Sequence, residues 1–215
     1  MRKEDPFSII ILNQQKNKSW LKKLISIIKK ENNKNTIKIL KKITEKDLIN
    51  TKYNFLISFH NRQIIKDDII NYFNGNCINF HNSALPKNRG CEPILWTAYN
   101  NDMFASTIHK ISIGLDTGDI CGQRIIKKSL KNFSLESVYK LLESEGLNLF
   151  EKIFPKIKKE KITKKKFIKY RKQLIKKGSY QDKTLSKTLM VRLSKKYKTK
   201  VSEINLLGFN DKRIK

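Results

Sequence analysis

The sequence predicts an α/β fold, a mainly parallel sheet flanked by helices, followed by a basic C-terminal extension. Three observations lead there. Short, uninterrupted apolar runs such as Ser8–Leu12 (SIIIL) and Asn54–Phe59 (NFLISF) suit strands buried on both faces. Stretches with helical apolar spacing lie between such runs. The two kinds alternate at the pitch of successive βαβ units.

In chain order, Ser8–Leu12 is the first strand. Trp20–Lys30 is helical, with Trp20, Leu21, Leu24, Ile25, Ile27 and Ile28 apolar among lysines. Thr36–Leu40 and Asn54–Phe59 are the second and third strands. Asp67 and Asp68 place negative charge at a helix start, Ile69, Ile70 and Phe73 supply its apolar face, and Asn74-Gly75 stops it. Cys77–Phe80 is a further buried strand, and Ala105–Ile111 and Gln123–Lys127 are two more. Ser134 caps a helix whose apolar stripe is Leu135, Val138, Leu142, Leu149 and Ile153, and Pro155 closes it. Ligands of such sheets collect at the carboxyl ends of strands, which singles out the segments after Phe59 and Phe80.

The chain has 215 residues, room for one domain with an appendage, here 1–155 and 156–215. Lys and Arg number 47 against 19 Asp and Glu, a formal net charge of +28. A charge of that size attracts polyanions. Much of it follows a general drift toward Lys, Asn and Ile, whereas residues 71–120 carry only Lys87, Arg89 and Lys110 against Glu92, Asp102, Asp116 and Asp119. The extension alternates lysines with Phe167, Tyr170, Tyr180, Tyr197 and Phe209, and reads as helical over Leu185–Tyr197 after the Gly178-Ser179-Tyr180 break. It is either a docked extension or an arm. A basic nucleic-acid-binding protein is therefore the competing class, since stacking aromatics among cations are what single strands require. Three cysteines (Cys77, Cys91, Cys121) without C-x-x-C spacing suggest neither a disulfide framework nor a metal site. No apolar stretch reaches membrane-span length and the N-terminus is no signal peptide, so the expected location is the cytoplasm.

The chemistry lies in the near-neutral block. The three histidines are His60, His81 and His109, and each alone reads as structural. Around His81, however, Asn79 and His81 project to one strand face. They open the run Asn79-Phe80-His81-Asn82-Ser83-Ala84-Leu85-Pro86, continued by Arg89-Gly90, then Thr107-Ile108-His109, then Asp116-Thr117-Gly118. Order and spacing strongly resemble the folate-dependent formyltransferase family, with its N-x-H-x-S-x-L-P-x-x-R-G signature, its T-x-H, and a D-x-G seven residues beyond that histidine. The likeness spans roughly Asn54–Phe154, includes the short sugar N-formyltransferases and the formyltransferase domain of methionyl-tRNA formyltransferase, and implies a Rossmann-like formyltransferase fold.

The resemblance implies that Asn79, His81 and Asp116 are catalytic and that N10-formyltetrahydrofolate is the co-substrate, with no metal. An amine attacks the formyl carbon and negative charge builds on the formyl oxygen. Asn79 and His81 are then placed to stabilise that oxygen, at roughly 3 kcal/mol per donor. Asp116 holds His81 in the useful state and relays the proton lost by the amine. His109 and Thr107 stand behind them as orienting partners. Folate is expected against Arg62, Gln63, Ile64 and Ile65 after the third strand, and against Ser112, Ile113, Gly114 and Leu115. Read without the family, Ile64 and Ile65 merely begin the core of the next helix.

Some positions depart from the family pattern. Asn82 stands where Pro usually follows the histidine, and Ala105 where Gly usually precedes the T-x-H. Fewer than 80 residues precede Asn79, so the N-terminal half reads as trimmed, and Asn13-Gln14-Gln15-Lys16 replaces a glycine-rich phosphate loop. That loop's loss argues against a glycinamide ribonucleotide acceptor, and the chain length leaves no room for the C-terminal barrel of methionyl-tRNA enzymes. The expected acceptor is the primary amine of a nucleotide-linked amino sugar, with methionyl-tRNA and glycinamide ribonucleotide as alternatives and a homodimer left open.

Overall fold

The computed structural model describes residues 6–15, 18–158 and 178–213. Six strands form one sheet in the order β2-β1-β3-β4-β6-β7. Strands β1 (Ser8–Leu12), β2 (Thr36–Leu40), β3 (Phe55–Ser58) and β4 (Cys77–His81) run parallel. Strands β6 (Ala105–Lys110) and β7 (Ile120–Ile125) complete the sheet by antiparallel pairing. The mainly parallel α/β class expected from the apolar runs is the observed one.

Alternation along the strands divides the core between the two sheet faces. Ile9, Ile11, Phe55, Ile57, Phe59 and Ile78 bury one face under α1 (Ser19–Glu31) and α4 (Leu135–Lys158). Ile10, Leu12, Leu56 and Cys77 bury the other under α2 (Asp67–Tyr72). Both faces are covered, so these strands carry no polar alternation, which is why they read as continuous apolar runs.

Three expectations need correction. Strand β7 begins three residues before and ends two before the expected Gln123–Lys127, because its register is set by pairing with β6, where Thr107 faces Gln123 and Ser106 faces Arg124. Pro155 does not close α4, which runs on to Lys158 with the proline inside it. Proline removes one backbone N–H, and so near the helix end only one intrahelical bond is lost while Phe154 and Ile157 stay buried on the core. The basic helix begins earlier and ends sooner than Leu185–Tyr197. It is α5 (Lys183–Val191), capped by the Asp182 side chain, which accepts from Leu185 N–H at 2.8 Å. In α4, Ser134 caps as expected by accepting from Ser137 N–H at 3.2 Å.

A second apolar cluster joins α3 (Pro93–Tyr99) and the N-terminal half of α4 to the chain beyond residue 178. Leu189, Leu193, Val201 and Ile204 of that segment are buried there, the last two on α6 (Val201–Arg213). Strand β8 (Tyr180–Gln181) pairs in parallel with β5 (Arg89–Gly90). The stretch 159–177, with most of the lysine-rich run, lies outside the described residues.

Candidate active site

Register brings the site together. In the β4–β6 pair Asn79 lies opposite His109 and His81 opposite Thr107. The Asn79 amide Nδ2 consequently sits 3.1 Å from His109 Nε2. The His109 ring is fixed from its other side, since Nδ1 donates to Lys110 O at 2.8 Å.

Loop 111–119 folds back so that Asp116, at a left-handed φ of 53°, reaches this group. Its Oδ1 accepts from Asn79 Nδ2 at 3.4 Å and lies 3.4 Å from His109 Nε2. Its Oδ2 lies 3.5 Å from His81 Nδ1 and accepts the Gly90 N–H at 2.9 Å. On the far side of the His81 ring, Nε2 is 3.0 Å from the Asn88 carbonyl. The structure thus gathers Asn79, His81, His109 and Asp116 in one cluster. Thr107 belongs to its scaffold. Its hydroxyl donates to Ser83 O at 2.6 Å and accepts from Gln123 Nε2 at 2.9 Å, which holds the loop after His81 rather than a ring.

Electrostatics set two groups apart. Burial pushes the His81 imidazole below its ordinary value, with the Asp116 charge opposing and His109 adding to the depression. Burial alone would raise Asp116, but His81, His109 and the Gly90 N–H outweigh it and hold the carboxyl well below the usual carboxylate range. Asp116 is therefore an anion at neutral pH and a weak base, while the neighbouring imidazole is the group that can change charge. Burial pushes the Cys77 thiol up to about 12 and that of Cys121 to about 11, so neither is a thiolate nucleophile at neutral pH. Among the described residues no group of three His, Cys, Asp or Glu side chains is placed to hold a metal ion.

The segments expected to meet folate differ residue by residue. Ile64 and Ile113 are 77% and 73% exposed, and Leu115 is also exposed, so three apolar side chains stand bare on the two loops. Ile65 instead packs partly against the core. Gln63 is committed elsewhere: its side chain accepts from Ile43 N–H at 2.9 Å and donates to Ile43 O at 2.7 Å. Ser112 braces Thr117, hydroxyl to hydroxyl at 3.1 Å, beneath Gly114, whose φ is +98°. Arg62 is exposed and lies near Tyr139 and Tyr197, whose hydroxyls burial pushes up despite that neighbouring charge.

Two contributors escaped the sequence reading. Asn88 touches His81 through its backbone carbonyl, which no side-chain type reveals. Glu143 is buried on α4 and joins His60 to Asn82, and its only sequence signal was Asn82 standing where Pro is usual.

A family model described as Formyl transferase matches residues 26–153, more than half of the chain and all of this cluster. The chain belongs to the formyl transferase family. The bifunctional polymyxin resistance protein ArnA of Wigglesworthia glossinidia brevipalpis is 35% identical over 112 residues, 52% of this chain and 17% of that protein. A methionyl-tRNA formyltransferase of Clostridium beijerinckii is 30% identical over 178 residues, 77% of this chain and 56% of the relative. This formyl transferase chain therefore spans under a fifth of ArnA and little more than half of the Clostridium relative. Among solved structures, the formyltransferase PseJ from Anoxybacillus kamchatkensis, in complex with UDP-4,6-dideoxy-4-formamido-L-AltNAc and tetrahydrofolate, superposes with a TM-score of 0.74 at 28% identity. That match covers 92% of this chain and 97% of PseJ.

Proposed function

We propose that this chain transfers the formyl group of N10-formyltetrahydrofolate to the primary amine of a nucleotide-linked amino sugar. The observation that carries the acceptor is the PseJ match, which takes in nearly the whole of both chains. The co-substrate fits the apolar surface left bare at Ile64, Ile113 and Leu115, and it supplies an activated formyl carbon.

The chain's own residues do the rest. Asn79 offers amide N–H donors, of which the one to Asp116 at 3.4 Å is long and readily turned toward a developing negative oxygen. Both His81 nitrogens face acceptors, Asn88 O and Asp116 Oδ2, so a second proton completes both hydrogen bonds. Burial opposes that proton. His81 is thereby poised to take a proton as the amine loses it and to return it to N10 as the formyl C–N10 bond breaks and tetrahydrofolate departs, with Asp116 stabilising the cation formed in between.

The test is turnover of 10-formyltetrahydrofolate, followed by absorbance, with UDP-4-amino-4,6-dideoxy-L-AltNAc, methionyl-tRNA and glycinamide ribonucleotide in parallel. Formamide product from the nucleotide sugar alone is expected. Turnover with methionyl-tRNA alone would replace the acceptor, a reading favoured by the Clostridium relative's match to 77% of the chain. His81→Ala and Asp116→Ala should each lower kcat by about 100-fold or more with the fold intact. Near-normal rates in either would overturn the roles assigned here.

A further inference from the structure

Across β4 from the His81 cluster lies a second polar group that formyl transfer, as described above, does not use. His60 follows β3 with a left-handed φ of 56°, which turns its ring against Phe59, ring centroids 4.0 Å apart. Its Nε2 lies 2.6 Å from Glu143 Oε2, and Glu143 Oε1 accepts from Asn82 Nδ2 at 2.7 Å. Asn82 is the residue directly after His81. Both oxygens of a buried carboxylate are thus held by the ends of two neighbouring strands. A buried carboxylate held in this way contributes little net stability compared with apolar packing, so its place is better explained by what it orients.

What it orients is a bare acceptor. In the ring form that gives its Nε2 proton to Glu143, His60 keeps a lone pair at Nδ1. That buried atom has no partner among the described residues. Gln15 is in the same condition. Its Nε2 donates to the Tyr139 hydroxyl at 3.0 Å, and its buried Oε1 has no partner among the described residues. The two belong to one patch, because the backbone of Gln14 donates to His60 O at 3.2 Å and the Tyr139 ring stands 6.0 Å from the His60 ring. Two buried acceptors left unmatched are costly, and a group with two donors removes that cost.

We propose that His60 and Gln15 form an acceptor-recognition patch that takes two donors, hydroxyl or amide N–H groups, on the ring bearing the reacting amine. Glu143 is the positioning residue that fixes the His60 tautomer. This rests on the reading of the acceptor as an amino sugar and deepens it. A hydroxylated or acylated sugar ring carries such donors close to its amine, whereas the methionine thioether chain carries none.

The experiment is steady-state kinetics of the full chain with 10-formyltetrahydrofolate and UDP-4-amino-4,6-dideoxy-L-AltNAc. Gln15→Ala and His60→Ala should each raise the acceptor KM about tenfold, equivalent to about 1.4 kcal/mol. The KM for 10-formyltetrahydrofolate should stay put and kcat change by no more than about twofold. Glu143→Gln should raise the acceptor KM and also move the His60 ring 15N resonances away from the Nε2–H pattern, which a merely structural role would not do. Folded variants whose acceptor KM is unmoved, or whose folate KM rises in step, overturn the patch. If His60→Ala fails to fold, Gln15→Ala decides alone. A wild-type chain that binds 5-formyltetrahydrofolate but formylates no nucleotide sugar overturns the acceptor class and the patch together, whereas a wild type that turns over beside unmoved variants overturns only the patch.

Discussion

Gly90 donates its backbone N–H to Asp116 Oδ2 at 2.9 Å, so the turn that follows His81 in sequence clamps the carboxylate that faces His81 in space. Gly90 has a φ of +92°, and a Cβ there would stand 2.3 Å from Gln181 O, the strand partner that accepts from Cys91 N–H. Both the conformation and the close approach demand glycine. Gly90→Ala should cost at least about 2 kcal/mol in urea unfolding. It should also lower kcat by more than about tenfold, because the Asp116 clamp moves with the turn. A variant of wild-type stability and rate would show that the clamp does not matter.

Gly118 makes a sharper steric case. A Cβ at this position would lie 1.7 Å from Lys110 O, at the point where β6 and β7 diverge around loop 111–119. Gly118→Ala should destabilise by about 3 kcal/mol and displace Asp116. Gly75 is the control, since its φ of +76° is strained for alanine but nothing lies within 4 Å. Gly75→Ala should cost about 1 kcal/mol and leave turnover alone. Equal losses in the two variants, measured by denaturation, would contradict the close approach at Lys110.

Asn88 holds His81 through its carbonyl, and its own buried side chain is fully engaged. Nδ2 donates to Thr97 Oγ1 and Asp102 Oδ2, each at 3.1 Å, and Oδ1 accepts from Asn100 Nδ2 at 3.0 Å. Its backbone N–H donates to Ser179 Oγ at 2.8 Å. Asn88→Ala should cost about 2–3 kcal/mol by leaving those buried groups unpaired, and kcat should fall with the loosened ring. Ser179→Ala removes that acceptor and a hydroxyl donor to Asn88 Oδ1 at 3.3 Å, and should cost about 1 kcal/mol. Thermal melts paired with turnover separate the two.

The inner parallel strands β1 and β3 were legible because strands buried on both faces read as unbroken apolar runs, whereas the edge strand β2 keeps Thr36 and Lys38 among its apolar residues. The shared face of Asn79 and His81 followed from the two-residue strand period. What sequence could not supply was contact made by backbone atoms, as with Asn88 O and the Gly90 N–H, or contact between distant residues. His60 and Glu143 are 83 positions apart and meet only because α4 crosses the ends of β3 and β4. The edge strand β7 was misplaced because Ile120-Cys121-Gly122 has little periodicity, and pairing with β6 alone determines its register.

The depressed pKa of His81 gives a pH dependence with a definite sign. Burial keeps the imidazole neutral in the folded chain at pH values where an unfolded histidine, at about 6.5, is already taking a proton. The unfolded state binds more protons in that window, so stability is fully present above about 6.5 and is lost as pH falls toward the folded value. Asp116 acts in the same direction at lower pH: its carboxyl is depressed, so its contribution is present above about 4 and is lost as pH falls through its folded value. Turnover should follow the first of these. A protonated His81 cannot accept the amine's proton, so kcat/KM should fall on the acid side with an apparent pKa below about 6.5. In His81→Gln, urea unfolding measured between about pH 5 and pH 7 should show a flatter dependence than wild type. An acid limb centred above about 6.5, or an unchanged stability slope in His81→Gln, would remove His81 from the role of proton carrier.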